Sequence, residues 1–271
     1  MVTNSPSHRN QKKTPKAGPD LACERAAAAT SLEGALIVGL DEAGRGPLAG
    51  PVVAGAVAVA PALLRGHALP PAKAALWEGI LALVNDSKRM SAPKREHACA
   101  LLREGARQKL LWFGVGAASV AEIGSLNIAQ ASYKAMGRAL AALLRQAHGG
   151  LAGGNEPILG ALLVDGLVAP SFAGHEQVPV TAFKGGDGRC ITIAAASILA
   201  KVTRDRAMAK LARLPHCAPY GWARNAAYPT KEHLAALAQW GATAHHRPTF
   251  APVRAALASQ HSRPAKGVQP L

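Results

Sequence analysis

The fold is decided by the stretch GLDEAGRGPLAGPVVAGAVAV, residues Gly39–Val59. Together with the residues just before it, this stretch holds two apolar runs, Ala35–Leu40 and Pro51–Ala60, which have the length and composition of buried strands. Asp41 and Glu42 end the first run, and a glycine- and proline-containing segment typical of a turn follows them. The stretch therefore predicts a β-hairpin whose first strand ends in two carboxylates.

Outward from this hairpin, strand-like and helix-like segments follow one another. Apolar runs predict further strands at Lys109–Gly116, Ile158–Val164 and Val178–Phe183. Periodic apolar patterns with start and stop signals predict helices at 91–107, Asn127–Ala147, Ile191–Leu214, Thr230–Trp240 and Val253–Ala258. This order predicts an α/β fold in which a mixed β-sheet is flanked by helices, with a C-terminal helical extension.

The chain predicts one folded domain between two tails. Hydrophobic residues make up 49% of the 271 residues, which is enough for a sizeable core. Residues 1–30 are polar and proline-containing before an alanine run, and they predict a disordered basic tail. We expect the catalytic domain with its C-terminal helices to span 31–260 and a flexible tail to span 261–271.

The charge of the chain indicates its partner. Lys and Arg total 31 against 16 Asp and Glu, which gives a formal net charge of +15. A balance this basic favours nucleic acid over an anionic membrane surface or an acidic protein. The apolar runs are too short to span a bilayer, so no membrane role is predicted. Four scattered cysteines without a C-x-x-C pair predict reduced thiols in a cytoplasmic protein.

Four carboxylates stand where predicted strands end. Asp41 and Glu42 follow the first strand, Asp165 follows another, and Asp187 comes shortly after a third. Loops at strand ends are where rigid scaffolds place reactive groups, and oxygen ligands of this kind suit Mg²⁺ or Mn²⁺. Each acid by itself could instead form an ordinary salt bridge or cap a helix. Together in a basic chain they favour the other interpretation, a cluster that binds two divalent cations for phosphodiester cleavage, although the sequence alone does not show that the four acids converge.

Beyond these patterns, six blocks of the sequence resemble ribonuclease HII, in that family's order. They are residues 39–59, NDSKRMS (Asn85–Ser91), LNIAQASYKAM (Leu126–Met136), LLVDG (Leu162–Gly166), AAASILAKVTRD (Ala194–Asp205) and YPTKEHL…GATAHHRPTFAPV (Tyr228–Val253). The resemblance implies a ribonuclease H-like fold, with Mn²⁺ or Mg²⁺ as cofactor. It implies cleavage of the RNA strand of RNA–DNA hybrids and incision at single ribonucleotides embedded in DNA, leaving 5′-phosphate and 3′-hydroxyl ends. We expect a monomer.

The resemblance also implies roles for particular residues. Asp41, Glu42, Asp165 and Asp187 match the family's metal-binding and catalytic carboxylates. Gly44, Arg45 and Gly46 match the segment that reads the ribonucleotide 2′-hydroxyl, the group that distinguishes RNA from DNA. A plain glycine turn is the alternative for that segment. Tyr228 matches the tyrosine that packs on the sugar at the RNA–DNA junction, although Asn225-Ala226-Ala227 stands before it where the family usually has His-Lys-Gly.

Basic residues near these blocks are candidate phosphate contacts. Lys88, Lys201 and Arg204 are expected to contact the substrate backbone, although each alone could belong to a solvated face. Asp205 lies between Arg204 and Arg206 and is interpreted as a structural ion pair outside the site. His233, His245 and His246 are interpreted as surface histidines rather than zinc ligands.

Two other functions remain open from the sequence. One is a DNA nuclease on the same fold, which a substrate made only of DNA would reveal. The other is a non-catalytic protein that binds RNA–DNA hybrids, which the absence of metal-dependent cleavage would reveal.

Overall fold

The described residues, 18–149 and 156–261 of this computed structural model, contain a five-stranded sheet. Its strands in chain order are β1 Leu36–Ala43, β2 Val52–Val59, β3 Leu111–Ala118, β4 Leu159–Asp165 and β5 Val180–Phe183. The spatial order is β3-β2-β1-β4-β5. Pairing is antiparallel from β3 to β1 and parallel from β1 to β5. The predicted mixed sheet and the β1–β2 hairpin are therefore confirmed.

Helices cover both faces of the sheet. They are α1 Ala22–Ala29, α2 Pro61–Leu64, α3 Pro71–Leu83, α4 Ala92–Arg107, α5 Val120–Leu126, α6 Ile128–His148, α7 Ile191–Leu211, α8 Trp222–Asn225, α9 Lys231–Trp240 and α10 Ala251–His261. Short 3₁₀ turns occur at Gly186–Gly188 and Pro215–Tyr220. The sequence predicts α4, α6, α7, α9 and α10 to within a few residues and does not predict α2, α3, α5 or α8. None of the helices in the described ranges has the length and apolar character that crossing a membrane requires.

Helix α7 lies unusually close to the sheet because glycines of β1 and β2 face it. A Cβ at Gly39 would lie 2.4 Å from the backbone nitrogen of Ile193. A Cβ at Gly55 would lie 2.3 Å from the carbonyl oxygen of Ala196. Only glycine allows such an approach. The close packing brings the middle of α7 beside the end of β1, where the carboxylates are.

The N-terminal boundary of the fold differs from the prediction. Helix α1 lies inside the segment 1–30 that the sequence predicts to be disordered. Its Glu24 is fully buried, and one carboxylate oxygen accepts hydrogen bonds from the backbone N–H and the hydroxyl of Thr192, at 2.7 and 2.8 Å. The prediction of disorder is therefore wrong for α1, because an acid caps the start of α7. Residues 1–17 and 262–271 of the predicted tails lie outside the described residues.

Candidate active site

Three of the four predicted carboxylates line one cavity of about 210 Å³ at the end of the sheet. Asp41 and Glu42 lie near the C-terminal end of β1, and Asp165 is the last residue of β4. Because β1 and β4 are parallel neighbours, their carboxyl ends meet. Asp187 lies in the 3₁₀ turn after β5 and reaches the same region, since its carboxylate is 3.5 Å from the ammonium of Lys88, which lines the cavity.

Two carboxylate oxygens of this cluster are buried without a hydrogen-bond partner. Asp41 is 2% exposed, and its Oδ1 accepts the N–H of Glu42 at 2.6 Å while its Oδ2 has no donor. Asp187 Oδ2 likewise has no hydrogen bond, although it forms the ion pair with Lys88. Leaving a buried acceptor unpaired costs about 1–3 kcal/mol, more for a charged group. Such oxygens fit a site that is completed by a cation.

The electrostatics of the cluster point the same way. Burial raises the pKa of Asp41 well above its ordinary value, and the neighbouring carboxylates of Glu42 and Asp165 raise it further. Burial also raises the pKa of Glu42 and of Asp187, against the opposing effects of Arg45 and Lys88 respectively. A divalent cation relieves this repulsion, and an all-carboxylate donor set suits Mg²⁺ or Mn²⁺. The residues present therefore fit the expected metal.

Lys88 provides part of the charge balance. Burial lowers the pKa of its ammonium, but the carboxylates of Asp41, Asp187 and Asp165 together raise it above the ordinary value. Its side chain is 71% exposed, so it can still turn toward a phosphate of a bound strand. The structure thus places Lys88 at the mouth of the cavity, beside the carboxylates.

The segment Gly44–Gly46 directly follows β1 and lines the same cavity. Gly44 has φ +98°, and a Cβ there would lie 2.1 Å from Nε of Arg204, so both conformation and space require glycine. Arg45 is half exposed and pairs with Glu42 at 3.3 Å. The segment is therefore a loop that lines the cavity and requires glycine at its first position.

A buried arginine holds this loop in place. All five N–H donors of the fully buried Arg247 go to backbone carbonyls. The acceptors, at 2.7–3.1 Å, are those of Gly44, Arg45, Pro47, Gly50 and Pro51. The sequence analysis missed Arg247, and its only signal was a place in the last resembling block.

Tyr228 lines the cavity next to the Gly44–Gly46 segment. The residue is 42% exposed, and a Cβ at Gly46 would lie 3.7 Å from its ring. The Lys201 ammonium is 6.0 Å from the ring centroid. The altered tripeptide before it is ordered by Asn225, whose side chain donates to the Tyr220 carbonyl at 2.8 Å and accepts the Ala227 N–H at 2.9 Å. These hydrogen bonds order the segment Asn225–Ala227, which precedes Tyr228 at the cavity.

Arg204 is not a phosphate contact, which corrects the prediction. It is fully buried and its guanidinium donates to the carbonyls of Ala49, Pro51 and Ala226 at 3.1–3.2 Å. Three of its five N–H donors thus hold loop carbonyls, and full burial keeps the guanidinium out of reach of a bound strand.

Two other interpretations change in their details. Asp205 does form a structural ion pair, but with Lys201 at 2.7 Å and Arg95 at 3.8 Å rather than with its sequence neighbours. His233 and His246 are buried, with their Nε2 atoms 3.1 Å apart, so they are not surface residues.

Two serines also escaped the sequence analysis as site residues. Ser87 and Ser197 line the cavity, and their hydroxyl oxygens are 2.6 Å apart and buried. Both lie in resembling blocks, but nothing in the chemistry of an isolated serine singles them out. Their hydrogen bond joins the loop that carries Lys88 to α7.

A mixed sheet flanked by helices, with buried acids at the adjoining ends of β1 and β4, defines an α/β protein of the ribonuclease H-like class. The Ribonuclease HII family model matches residues 38–253. The ribonuclease HII of Rhodospirillum rubrum is 48% identical over 242 residues, covering 89% of this chain and 92% of that protein. That of Gluconobacter oxydans is 47% identical, covering 87% and 95%. The chain therefore belongs to the ribonuclease HII family and is an endoribonuclease, a hydrolase.

Solved structures agree with the fold. The ribonuclease H2 of Pyrococcus horikoshii OT3 superposes with a TM-score of 0.59 at 22% identity, covering 84% of this chain and 100% of that one. A Bst ribonuclease HIII structure in complex with Mn²⁺ gives a TM-score of 0.59 at 19% identity, covering 96% and 78%. At these identities the likeness establishes the ribonuclease H-like architecture alone.

Proposed function

We propose that this protein hydrolyses the RNA strand of RNA–DNA hybrids and incises duplex DNA at embedded ribonucleotides, leaving 5′-phosphate and 3′-hydroxyl ends. The observation that carries the proposal is that one cavity is lined by Asp41, Glu42 and Asp165 together with the Gly44–Gly46 loop and Tyr228. Acids for phosphodiester hydrolysis thus lie beside backbone and aromatic groups suited to a ribose. The net charge of +15 favours a polyanionic substrate.

In this proposal Asp41, Glu42, Asp165 and Asp187 hold Mg²⁺ or Mn²⁺. Two such ions would lower the pKa of a bound water, so that the hydroxide it yields can attack the phosphate, and would stabilise the negative charge on the departing oxygen. The ribonuclease HIII structure with a similar fold is a complex with Mn²⁺, and this supports a divalent ion of the same kind here. The Oδ2 atoms of Asp41 and Asp187 accept no hydrogen bond from the described residues and provide ligand positions for such an ion.

The remaining residues bind and orient the substrate. The backbone of the loop Gly44–Gly46 contacts the 2′-hydroxyl, because glycine lets the main chain approach a sugar closely. Tyr228 packs against the sugar at the junction. Lys88 and Lys201 contact phosphates of the bound strand, and their charges position it without reading its sequence.

A duplex that contains one ribonucleotide tests the proposal. It is incubated with the protein with and without Mg²⁺ or Mn²⁺, beside a matched duplex made only of DNA, and the cut is mapped. We expect incision that depends on the metal and that occurs next to the ribonucleotide and nowhere else in the duplex. Cleavage of the all-DNA duplex would establish a DNA nuclease instead. Binding of hybrid without cleavage under any of these conditions would establish a non-catalytic binding protein.

Tyr228→Ala is expected to lower activity on a single embedded ribonucleotide more than on a long hybrid. On a long hybrid the protein can bind at many positions along the RNA strand, so the loss of one contact matters less. The duplex with one ribonucleotide has a single RNA–DNA junction, and its sugar is the one that the ring can pack on. A stacking contact worth about 1–3 kcal/mol corresponds to a loss of roughly 5- to 150-fold. Single-turnover rates on both substrates measure the effect, and Tyr228→Phe, which keeps the ring, is the matched control. An equal loss on both substrates would assign Tyr228 a general packing role.

We further propose that the protein works as a monomer in the cytoplasm and takes part in removing ribonucleotides from DNA. The four cysteines are free thiols, which supports a reducing compartment. Light scattering of the purified chain measures the oligomeric state directly.

A further inference from the structure

We propose that His216, Cys217 and His245 form a second metal site, selective for Zn²⁺ or a cation of similar softness. One ligand atom from each residue, two imidazole nitrogens and a thiol sulfur, lies within 4.8 Å of the others. None of the three lines the cavity of the carboxylates. The proposed site is therefore distinct from the catalytic one in its residues and in its chemistry.

The local geometry needs little adjustment to hold an ion. His216 and Cys217 are neighbours on the 3₁₀ turn Pro215–Tyr220, and His245 comes from the connection between α9 and α10. The two imidazole rings stack with centroids 5.7 Å apart and planes 15° from parallel. Zn–S and Zn–N bonds of about 2.3 and 2.0–2.1 Å place one sulfur and two nitrogens of a tetrahedral site roughly 3.3–3.6 Å apart. A contraction of about 1 Å, which imidazole rotation can supply, closes the site.

The ligands are also available. Within 18–149 and 156–261, no hydrogen bond or ion pair engages either ring or the sulfur. Cys217 is buried in a small core cluster with Tyr220 and Trp222, whereas His216 is exposed. The sulfur therefore lies on the side of the core, and the exposed side next to His216 leaves room for a fourth ligand such as water.

The donor set decides the class of metal. Thiolate and imidazole are ligands of Zn²⁺ and other borderline or soft cations, whereas Mg²⁺ and Mn²⁺ prefer carboxylate and water oxygens. The two sites should therefore bind different metals: Mg²⁺ or Mn²⁺ at the carboxylates, and Zn²⁺ or a similar cation at His216, Cys217 and His245. Three protein ligands with an open position can bind a metal without making the site catalytic.

The position of the site suggests what a bound ion does. The His245 carbonyl accepts the Gly50 N–H at 2.9 Å, and the next residue but one, Arg247, holds the loop beside the carboxylates. An ion that joins the Pro215–Tyr220 turn to His245 would fix the segment that carries Arg247. The metal would act as a structural tie behind the substrate-reading loop, and it should raise the melting temperature of the protein.

Cobalt provides a probe that reports the sulfur directly. The full-length chain is stripped with a chelator under reducing conditions and titrated with Co²⁺ in excess Mg²⁺, which occupies the carboxylates. We expect one equivalent to bind with a thiolate-to-cobalt charge-transfer band in the near ultraviolet, and Zn²⁺ to displace it. Cys217→Ser should abolish the band. His216→Ala and His245→Ala should weaken binding by more than about 100-fold, beyond the usual cost of losing an outer-shell partner.

Matched controls keep the test decisive. His67→Ala removes another exposed histidine and Cys23→Ser another thiol, and both should keep the band and its affinity. The proposal is overturned if no band appears, if Cys217→Ser keeps it, or if His216→Ala binds as tightly as the wild type. If circular dichroism shows that Cys217→Ser does not fold, the exposed His216 variant decides alone.

Discussion

Asp165→Asn is expected to lower the cleavage rate by about 10³-fold or more while leaving hybrid binding intact. Metal ions contribute several kcal/mol to such reactions, and each 1.36 kcal/mol is tenfold in rate. The variant should fold normally, because Asp165 Oδ1 accepts the Gly186 N–H at 2.7 Å and an amide oxygen can accept the same bond. Its negative charge also contributes to the raised pKa of Asp41, so removing it relieves repulsion in the cluster.

Single-turnover cleavage and equilibrium binding of the same hybrid separate the two effects. Glu104→Gln is the matched control, since it removes one carboxylate charge from an exposed pair with Arg107. It should cut like the wild type. Full activity of Asp165→Asn would remove Asp165 from the metal ligands. A parallel loss of binding and cleavage would make it a substrate contact instead.

The sheet and its carboxylates could be predicted because their signals are local. An apolar run that stops at Asp41-Glu42 shows where β1 presents acids, and a similar run ending at Asp165 does the same for β4. The convergence of these ends depends on β1 and β4 being parallel neighbours, which no local pattern encodes. The resemblance to a known family supplied that step.

Other features stayed hidden because they depend on contacts between distant segments. Arg204 looked like a surface cation on a helix, yet 153 residues separate it from the Pro51 carbonyl that it contacts. Helix α1 looked like part of a tail, because alanines next to polar residues do not show that Glu24 caps a helix 168 residues away. Helix α3 starts at proline and is apolar over much of its surface, so its periodicity is weak.

The arginine that holds the loop leads to the second large expected effect. Arg247→Lys should lower the free energy of unfolding by about 1–6 kcal/mol. Five carbonyls receive the five guanidinium N–H groups, whereas a lysine ammonium has three donors. Because the Pro51 carbonyl also accepts from Arg204, one or two buried acceptors are left without a partner. Each buried unpaired group costs about 1–3 kcal/mol. Denaturant titration with the slope compared between variants measures the loss.

Activity should fall together with stability in this variant, because two of the carbonyls, those of Gly44 and Arg45, belong to the loop beside the carboxylates. Arg206→Lys is the matched control: its guanidinium is 53% exposed and pairs with Glu96 on the surface, where such a pair is worth about 0–1 kcal/mol. A stability for Arg247→Lys equal to that of the control would mean that the loop is held by its own turns and glycines. A large loss confined to Arg247 would show that one side chain, 200 residues along the chain from Pro47, holds the Gly44–Gly46 wall of the cavity.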